Sequence, residues 1–158
     1  MEGFSVSGIQ SMMLENVTPI LNNEINCILS ELTRNTISVT FNTIERLKSG
    51  KIKEKYNLEV INNVGGSTYN SLSGGEARRV DFSISLAMAN IIRTNINTIN
   101  ILILDEPFVS LDSEGISDIM DFIQGYYENI PVFIISHSDV GLDGSITIQK
   151  INGISELV

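Results

Sequence analysis

The sequence predicts an α/β layered fold, and the pattern of its apolar segments carries this prediction. Two strongly apolar runs, Ile101–Leu104 and Pro131–Ile135, lack alternation of polar and apolar residues, which is typical of strands buried on both faces of a parallel sheet. A helical pattern separates them, so strand, helix and strand alternate along the chain. With 158 residues, of which 42% are hydrophobic and 18% charged, the chain is long enough to bury one core.

The first segment of the chain has the pattern of a long helix. From about Ser5 to Leu32, apolar residues recur at helical spacing. Pro19 lies inside this segment and is expected to kink or divide the helix, because proline lacks a backbone donor and crowds the preceding turn. The single cysteine, Cys27, excludes an internal disulfide, and we expect it to be a small buried side chain rather than a reactive thiol.

Two β-rich runs, Thr36–Phe41 and Tyr56–Ile61, follow the predicted helix. The loop expected between them contains Ser49-Gly50 and half of the ten basic residues, with a local net charge of +4. The basic residues of this stretch are Arg46, Lys48, Lys51, Lys53 and Lys55. One hypothesis is that they contact DNA phosphates, and the alternative is a loop that only faces water.

Loop-forming residues and the periodicity of apolar residues predict the remaining elements. A polar, glycine-containing loop precedes a helix that is expected to start at Ser73 and to run to about Arg93. A second helix is predicted from about Ser113 to Tyr127, with Ser113 as a plausible N-cap. The loop is Asn62–Tyr69, the connection after the first of these helices is Thr94–Asn100, and two short strands are expected near Ser145–Ile151 and Ile154–Val158.

The charge distribution limits the possible partners. The net charge of −9 argues against a chain that coats itself on nucleic acid. Between Thr94 and Gln149 there are nine carboxylates and no Lys or Arg, so a divalent cation is an obvious candidate ligand for this half. The chain has no apolar run of about 18 residues and no secretory signal pattern, so we expect no membrane span and a cytoplasmic protein.

The segment Leu72-Ser73-Gly74-Gly75-Glu76 stands at a predicted helix start. Glycines allow a ligand to approach the backbone, and a helix N-terminus presents unpaired N–H groups at the positive end of its dipole. The Ser73 hydroxyl adds another donor, so the segment suits an anion. An ordinary glycine-rich helix cap is the alternative that the sequence leaves open.

The first apolar strand ends in the pair Asp105-Glu106. Ligands of open α/β sheets bind outside the carboxyl ends of the strands, where this pair is expected. Because adjacent strand residues point to opposite sides, the two carboxylates cannot have the same role. One is suited to hold Mg²⁺, directly or through water, while the other faces an attacking water.

His137, the only histidine, follows the second apolar strand. A lone histidine at a strand end is commonly structural, but its strand is expected to lie beside the one that ends in the acidic pair. The turn Ser110-Leu111-Asp112 is by itself an ordinary turn and cap. Arg78 and Arg79 are candidates for phosphate or interface contacts, with simple surface display as the alternative.

Together these segments resemble the ABC ATPase superfamily. Leu72–Glu76 resembles its signature motif, Ile101–Glu106 its Walker B strand, Ser110–Asp112 its D-loop, and His137 its switch histidine. The chain is most similar to the SMC and SbcC-type branch, which includes phage recombination exonuclease subunits. The signature ends in Glu76, where transporters usually have Gln, 32 positions separate Ser73 from Asp105, and only 21 residues follow His137.

The resemblance implies the C-terminal half of a P-loop NTPase ABC-type head, with a parallel-strand core and flanking helices. Residues 1–34 would be a helix from the end of a coiled-coil arm. Residues 35–70 would be a β-rich segment with a basic loop, and residues 71–158 would run from the signature to the end of the C-terminal lobe.

The resemblance also implies roles, because in this superfamily two heads enclose two ATP molecules. Ser73, Gly74 and Gly75 would contact the γ-phosphate of ATP held by the opposite head, and Glu76 would belong to the same ATP-binding signature. Asp105 would serve Mg²⁺, Glu106 would be the general base or polariser for the attacking water, and His137 would hold the γ-phosphate. Asp112, with Ser110 and Leu111, would couple the two sites across the interface.

The sequence departs from the family in having no G-x-x-x-x-G-K-[ST] phosphate loop. Ser49-Gly50-Lys51 lacks the first glycine at the required spacing. We therefore expect the isolated chain to be inactive. The implied partners are an N-terminal lobe with a Walker A motif on the same or a separate chain, a second head, a nuclease subunit and double-stranded DNA. Two alternatives stay open: half of a transporter or translation-factor ATPase, or a non-catalytic module that regulates a complete head.

Overall fold

A computed structural model describes residues 6–46, 52–96, 100–137, 146–151 and 154–157. The helices are α1 (Val6–Thr33), α2 (Gly74–Asn95) and α3 (Ser113–Tyr126), and a short 3-10 helix (Tyr69–Ser71) precedes α2. The strands are β1 (Ile37–Arg46), β2 (Ile52–Asn62), β3 (Leu102–Asp105), β4 (Val132–Ile135), β5 (Ile148–Ile151) and β6 (Ile154–Leu157). β1 and β2 pair antiparallel, β3 and β4 pair parallel, and β5 and β6 pair antiparallel.

The core lies where one face of α1 packs against β1 and α2. Its fully buried side chains include Ile25, Ile28 and Leu29 of α1, Val39 of β1, and Val80 and Leu86 of α2. Pro19 lies inside α1, which continues through this residue as one helix. Of the kink or division that the sequence predicted, the division does not occur. The prediction that Cys27 is buried is wrong, because the core-facing positions of α1 leave Cys27 on the solvent side of the helix.

Two asparagines of α1 close the outer edge of β1. The side-chain amide of Asn26 donates to the carbonyl of Val39 (2.7 Å), and its Oδ1 accepts from the Val39 N–H (2.9 Å). Asn22 makes the same pair of bonds with Phe41, at 2.9 and 2.7 Å. Because Asn22 and Asn26 are four residues apart, they lie on one helix face and meet alternate residues of the strand. The edge of β1 therefore has its hydrogen bonds satisfied by side chains instead of by a further strand.

The β1–β2 hairpin is longer than the sequence indicated. Ile37 pairs with Asn62 and Arg46 pairs with Ile52, with a register irregularity between Asn42 and Ile44. Arg46 therefore ends β1, and Lys53 and Lys55 lie in β2 rather than in a loop, while Lys48 and Lys51 lie outside the described residues. The antiparallel pairing extends the strands beyond the apolar runs that sequence patterning detects.

The parallel pair β3–β4 confirms the predicted strand–helix–strand unit but not its burial. Leu102, Leu104, Val132 and Ile134 are half-buried and pack against the core. The intervening side chains on the other face are exposed: Ile103 by 61%, Phe133 by 57% and Ile135 by 54%. The expectation of strands buried on both faces is therefore wrong for the described residues, because the core covers only one side of this pair.

A polar cluster joins the three helices. The Tyr127 hydroxyl donates to Asn90 Oδ1 (2.6 Å), and the Asn90 amide donates to Glu24 Oε1 (2.8 Å). Glu24 Oε1 also accepts from the Tyr126 hydroxyl (3.1 Å). Burial raises the pKa of Tyr127 to about 12. The cluster ties α1, which carries Glu24, to α2 and to the end of α3.

Candidate functional site

The start of α2 is a capping box built by Ser73 and Glu76. Ser73 Oγ accepts from the Glu76 N–H (3.3 Å), and Glu76 Oε2 accepts from the Ser73 N–H (2.7 Å). Glu76 Oε1 also accepts from the Asn62 amide (3.0 Å), which ties the end of β2 to the helix. The backbone hydrogen bond from Ser73 is the largest cause of a lowered pKa of Glu76. The Glu76 carboxylate is thus engaged within the chain, while Ser73 and Gly74 are exposed.

The capped turn packs against the turn that precedes α3. A Cβ atom on Gly75 would lie 3.7 Å from the Ser110 carbonyl oxygen and 3.9 Å from a methyl group of Leu111. A Cβ atom on Gly74 would lie 3.8 Å from the Ser110 Cβ. The two segments that resemble the signature motif and the D-loop therefore lie side by side in the same chain.

Asp112 acts as the N-cap of α3. Its Oδ1 accepts from the Gly115 N–H (2.9 Å), so the prediction of Ser113 as N-cap is wrong by one residue. Both residue types can cap a helix, but the side chain of Asp112 is the one that reaches the free N–H. Sequence reasoning gave Asp112 a role between two heads, and the structure adds this role within the chain.

The acidic pair and His137 meet at the carboxyl edge of β3 and β4. Asp105 pairs with Ile135 in the parallel register, and the Glu106 N–H donates to the Ile135 carbonyl (2.8 Å). Glu106 Oε1 lies 3.6 Å from Nε2 of His137, whose side chain is 96% exposed. The structure thus brings together three residues that sequence reasoning had placed at one sheet edge. The exposed imidazole and the adjacent carboxylate are both accessible to a ligand.

The backbone of Glu106 has an unusual conformation. Its φ is +48°, and Ser110 has a φ of +67° in the same turn. Left-handed φ values are uncommon for residues other than glycine and persist where the surrounding contacts hold them. Phe108 is 4% exposed and its carbonyl accepts from the Leu111 N–H (3.2 Å), so the turn is anchored in the core.

Arg78 reaches from α2 to this turn. Its Nε donates to the Pro107 carbonyl (3.2 Å), and its Nη2 donates to the Glu106 carbonyl. Arg78 is half-buried and, with Asp105, lines a cleft of about 220 Å³ between α2 and β3. From the sequence, Arg78 was a candidate for a phosphate or interface contact, with surface display as the alternative. Its contact with two backbone carbonyls was not predicted. A basic residue one turn into a helix carries no signal for which carbonyls it meets.

Arg79, the next residue, is also turned inward. Its side chain is 17% exposed, and Nη2 lies 3.5 Å from Asp118 Oδ2. Arg34 at the end of α1 reaches the same carboxylate (3.6 Å), which joins α1, α2 and α3. A Cβ atom on Gly115 would lie 2.9 Å from Arg79 Nη2, so the glycine leaves room for this guanidinium. Surface display is thus excluded for Arg79.

The donor set at the strand edge fits Mg²⁺ held with a nucleotide. Within the described ranges, no three His, Cys, Asp or Glu side chains gather into a metal-binding group. Mg²⁺ in nucleotide sites is commonly held by one or two carboxylates together with phosphate oxygens and water. Asp105, an exposed carboxylate at the strand end, has the chemistry that such a site requires of one protein ligand.

Comparisons with known proteins show which proteins this chain resembles. A model of the SbcC/RAD50-like family, named for its Walker B motif, matches residues 51–125. The DNA double-strand break repair Rad50 ATPase of Thermoplasma acidophilum is 29% identical over 159 residues, which cover 96% of this chain and 16% of the relative. The chain is thus similar to SMC/Rad50-like ABC ATPase head regions. The span that the family model matches includes the capped helix start, the acidic pair and the 110–112 turn, while His137 lies beyond it.

The fold of this chain has solved counterparts. A chain from work on ATP-driven dimerization and DNA-stimulated activation of SMC ATPases matches it with a TM-score of 0.68 and 16% identity, covering 94% of this chain and 87% of that one. At this identity the likeness shows the fold, and it confirms the predicted P-loop NTPase ABC-type class. In the part of the chain that the structure describes, none of the helices combines the length and apolar character needed to cross a membrane.

A shorter match leads to a transporter subunit. The energy-coupling factor transporter ATP-binding protein EcfA2 of Symbiobacterium thermophilum is 40% identical over 68 residues, which are 42% of this chain and 20% of that protein. This chain spans only about one-sixth of the length of the Rad50 relative described above (16%). The activity and partners of a whole protein are therefore matters for proposal.

Proposed function

We propose that this chain is the C-terminal lobe of an ATP-hydrolysing head that joins a second head around ATP. The assembly would drive DNA end processing, repair or recombination with a nuclease subunit, in the cytoplasm or at the nucleoid. The observation that carries the proposal is the 3.6 Å approach of Glu106 to His137, beside Asp105, at one sheet edge.

The proposed chemistry assigns a separate task to each residue at this edge. Glu106 orients the attacking water and accepts its proton, as a carboxylate within hydrogen-bond reach of a nucleophile can. His137 donates a hydrogen bond to the γ-phosphate from its exposed imidazole. Asp105 would hold Mg²⁺, which neutralises phosphate charge when bound. Phosphoryl transfer depends mostly on such positioning and charge neutralisation.

The start of α2 would act on the nucleotide of the second head. Ser73 and Gly74 are exposed, and the helix N-terminus presents backbone N–H groups that suit a phosphate. The Ser73 Oγ accepts its capping bond, and its hydroxyl hydrogen-bonds to the Glu76 carboxylate, so on binding the hydroxyl would turn from Glu76 to donate to phosphate. Glu76 holds this geometry through the capping box, so we assign it a structural share of the signature.

An N-terminal lobe that carries the phosphate loop would complete each nucleotide site. The exposed apolar face of β3–β4, formed by Ile103, Phe133 and Ile135, supports such a lobe, because a parallel sheet is normally covered on both faces. That lobe would belong to the same protein or to a separate chain.

The DNA contact in this proposal is the basic stretch near the β1–β2 hairpin. Arg46 closes β1, and Lys53 and Lys55 lie in β2, so part of the stretch is on paired strands. Contacts of these residues with phosphate would make DNA binding of the completed head salt-dependent. The name of the Rad50 relative, which refers to double-strand break repair, supports the choice of DNA as partner.

The decisive experiment changes Glu106→Gln in the head assembled from this chain and an N-terminal lobe. Loss of the proton acceptor should lower kcat by about 100-fold or more while ATP still binds, so ATP-bound dimers should accumulate. Turnover by phosphate release and dimerization by light scattering measure the two effects. Glu128→Gln serves as the control, because it makes the same carboxylate-to-carboxamide change at an exposed residue elsewhere in the sequence.

Two results would contradict the proposal. Wild-type turnover by the Glu106→Gln head would remove Glu106 from its role. ATP turnover by the isolated chain, at a rate that Glu106→Gln abolishes, would refute the need for a completing lobe.

The match to EcfA2 favours one second candidate, the ATPase half of a transporter. The two candidates differ in their partners. A head that acts on DNA should hydrolyse ATP faster when linear double-stranded DNA is added, and a transporter subunit should not. An assembled head without DNA stimulation would favour the transporter.

A further inference from the structure

Arg78 makes a two-point contact with the turn that carries Glu106. The guanidinium donates from Nε to the Pro107 carbonyl (3.2 Å) and from Nη2 to the Glu106 carbonyl. These are consecutive carbonyl oxygens of one backbone segment. A planar guanidinium can satisfy two acceptors at once, whereas a lysine ammonium acts as a point charge on a flexible stem.

This contact acts on a backbone that needs support. Glu106 has a φ of +48°, a conformation that is unfavourable for a non-glycine residue and persists only when its surroundings hold it. Its N–H is fixed by the Ile135 carbonyl (2.8 Å), and its C=O is fixed by Arg78. The two sides of the residue are therefore held by β4 and α2, respectively.

The direction of the Glu106 side chain follows from this backbone. The Cβ vector of a residue is set by its φ and ψ, so a turn that relaxed to negative φ would swing the carboxylate away. In the structure, Oε1 of Glu106 lies 3.6 Å from His137 Nε2, and the Glu106 side chain is 29% exposed. The arrangement near His137 therefore depends on the turn that Arg78 holds.

We propose that Arg78 is a positioning residue for Glu106, and this inference depends on the proposed function of ATP hydrolysis. Arg78 contacts neither nucleotide nor water in this role. It holds the Glu106–Pro107 carbonyls so that the Glu106 carboxylate meets its substrate in one orientation. Since displacement of a reacting group by about 1 Å can reduce a rate about 100-fold, loss of the contact should reduce turnover rather than nucleotide binding.

The test uses the assembled head with Arg78→Gln and Arg78→Lys, assayed with ATP and Mg²⁺. Arg78→Gln should lower kcat about 10- to 100-fold, with KM for ATP within about threefold of wild type. Arg78→Lys should lower kcat by a smaller factor, about 3- to 10-fold, because it keeps the charge and reaches one carbonyl. Arg93→Gln removes the same charge from α2 at a position over the Tyr127 ring, and it should leave kcat within about twofold.

A double-mutant cycle separates positioning from a general structural role. If Arg78 acts through Glu106, adding Arg78→Gln to the Glu106→Gln head should change the residual single-turnover rate by less than about threefold. A residue that only stabilises the fold would lower the rate by the same factor in both backgrounds. Equal factors in the two backgrounds would therefore overturn the inference.

The remaining outcomes are also decisive. If Glu106→Gln abolishes turnover and Arg78→Gln keeps wild-type kcat, the inference about Arg78 fails while the proposed function stands. Wild-type turnover by Glu106→Gln would instead refute the proposed function. Where Arg78→Gln does not fold, the charge-conserving Arg78→Lys head decides, and wild-type kcat in that variant would overturn the inference.

Discussion

A pair of glycines in α3 allows a stringent test of how the helix start is packed. Gly115 is buried in the first turn of α3, and its N–H donates to the capping Asp112 carboxylate. A Cβ atom at position 115 would lie 2.9 Å from Arg79 Nη2, 3.0 Å from Asp112 Oδ1 and 3.2 Å from Leu111 Cδ2. Gly115→Ala must therefore displace the guanidinium, the cap or both.

The expected cost follows from what is displaced. Alanine gains about 1 kcal/mol over glycine in a helix interior. Loss of an N-cap bond costs about 1 kcal/mol, and overpacking in a well-packed region costs about 1–3 kcal/mol. Withdrawal of Arg79 would also break its 3.5 Å contact with Asp118. The sum of these terms predicts that Gly115→Ala lowers the free energy of unfolding by about 1–3 kcal/mol.

Gly125→Ala is the matched control on the same helix. A Cβ atom at Gly125 would meet nothing within 4 Å, so only the helix preference remains, and we expect a gain of about 0.5–1 kcal/mol. Urea unfolding followed by far-UV circular dichroism measures both variants, with unchanged m-values as the condition for comparison. A Gly115→Ala chain as stable as wild type, or more stable, would refute the packing argument.

Two further predictions concern the packing of α1 against β1 and the pH dependence of stability. Asn26→Ala should destabilise the chain by about 2 kcal/mol, because it leaves the N–H and C=O groups of Val39 without their side-chain partner. Asn23→Ala, at an exposed position of α1, should change stability by less than about 0.5 kcal/mol. Equal effects of the two changes in urea unfolding would contradict the role of Asn26 at the edge of β1. Burial raises the pKa of Tyr127 to about 12, from 10.0 in the unfolded chain, so the folded state keeps the proton and stability should fall as pH rises from about 10 to 12, by at most about 1.4 kcal/mol per pH unit. Tyr127→Phe should lose this part of the pH dependence, and parallel profiles of the two proteins would count against it.

Local signals in the sequence predicted the elements on which the site depends. The start of α2 was predicted from Ser73 and the following glycines, and the capping box with Glu76 explains why the helix begins there. The two apolar runs became β3 and β4, and their parallel pairing placed the acidic pair beside His137. Each of these signals lies within a few residues of the structure that it specifies.

Other features depend on contacts that a single sequence does not encode locally. The apolar runs of β3 and β4 indicate burial, but they do not reveal whether the covering layer belongs to the same stretch of chain, and Ile103 is exposed here. Arg78 and Arg79 are adjacent and chemically identical, yet one contacts backbone carbonyls and the other contacts Asp118. Their difference arises from the 100° rotation per helical residue combined with the positions of β3 and α3.

The β1–β2 and β3–β4 strand pairs differ in how well they are covered by the rest of the chain. On the α1 side, the edge of β1 is closed by Asn22 and Asn26, and no further strand is required there. On the β3–β4 side, Ile103, Phe133 and Ile135 keep more than half of their surface in water. Since full burial of such a side chain is worth about 1.5–3 kcal/mol, a layer that covered the exposed part of all three would gain about 3–5 kcal/mol. The strand edge that carries Asp105 and Glu106 adjoins this open face and not the closed one. A lobe that docked there would bring its phosphate-binding groups toward these two carboxylates, which supports the proposed nucleotide site completed by that lobe.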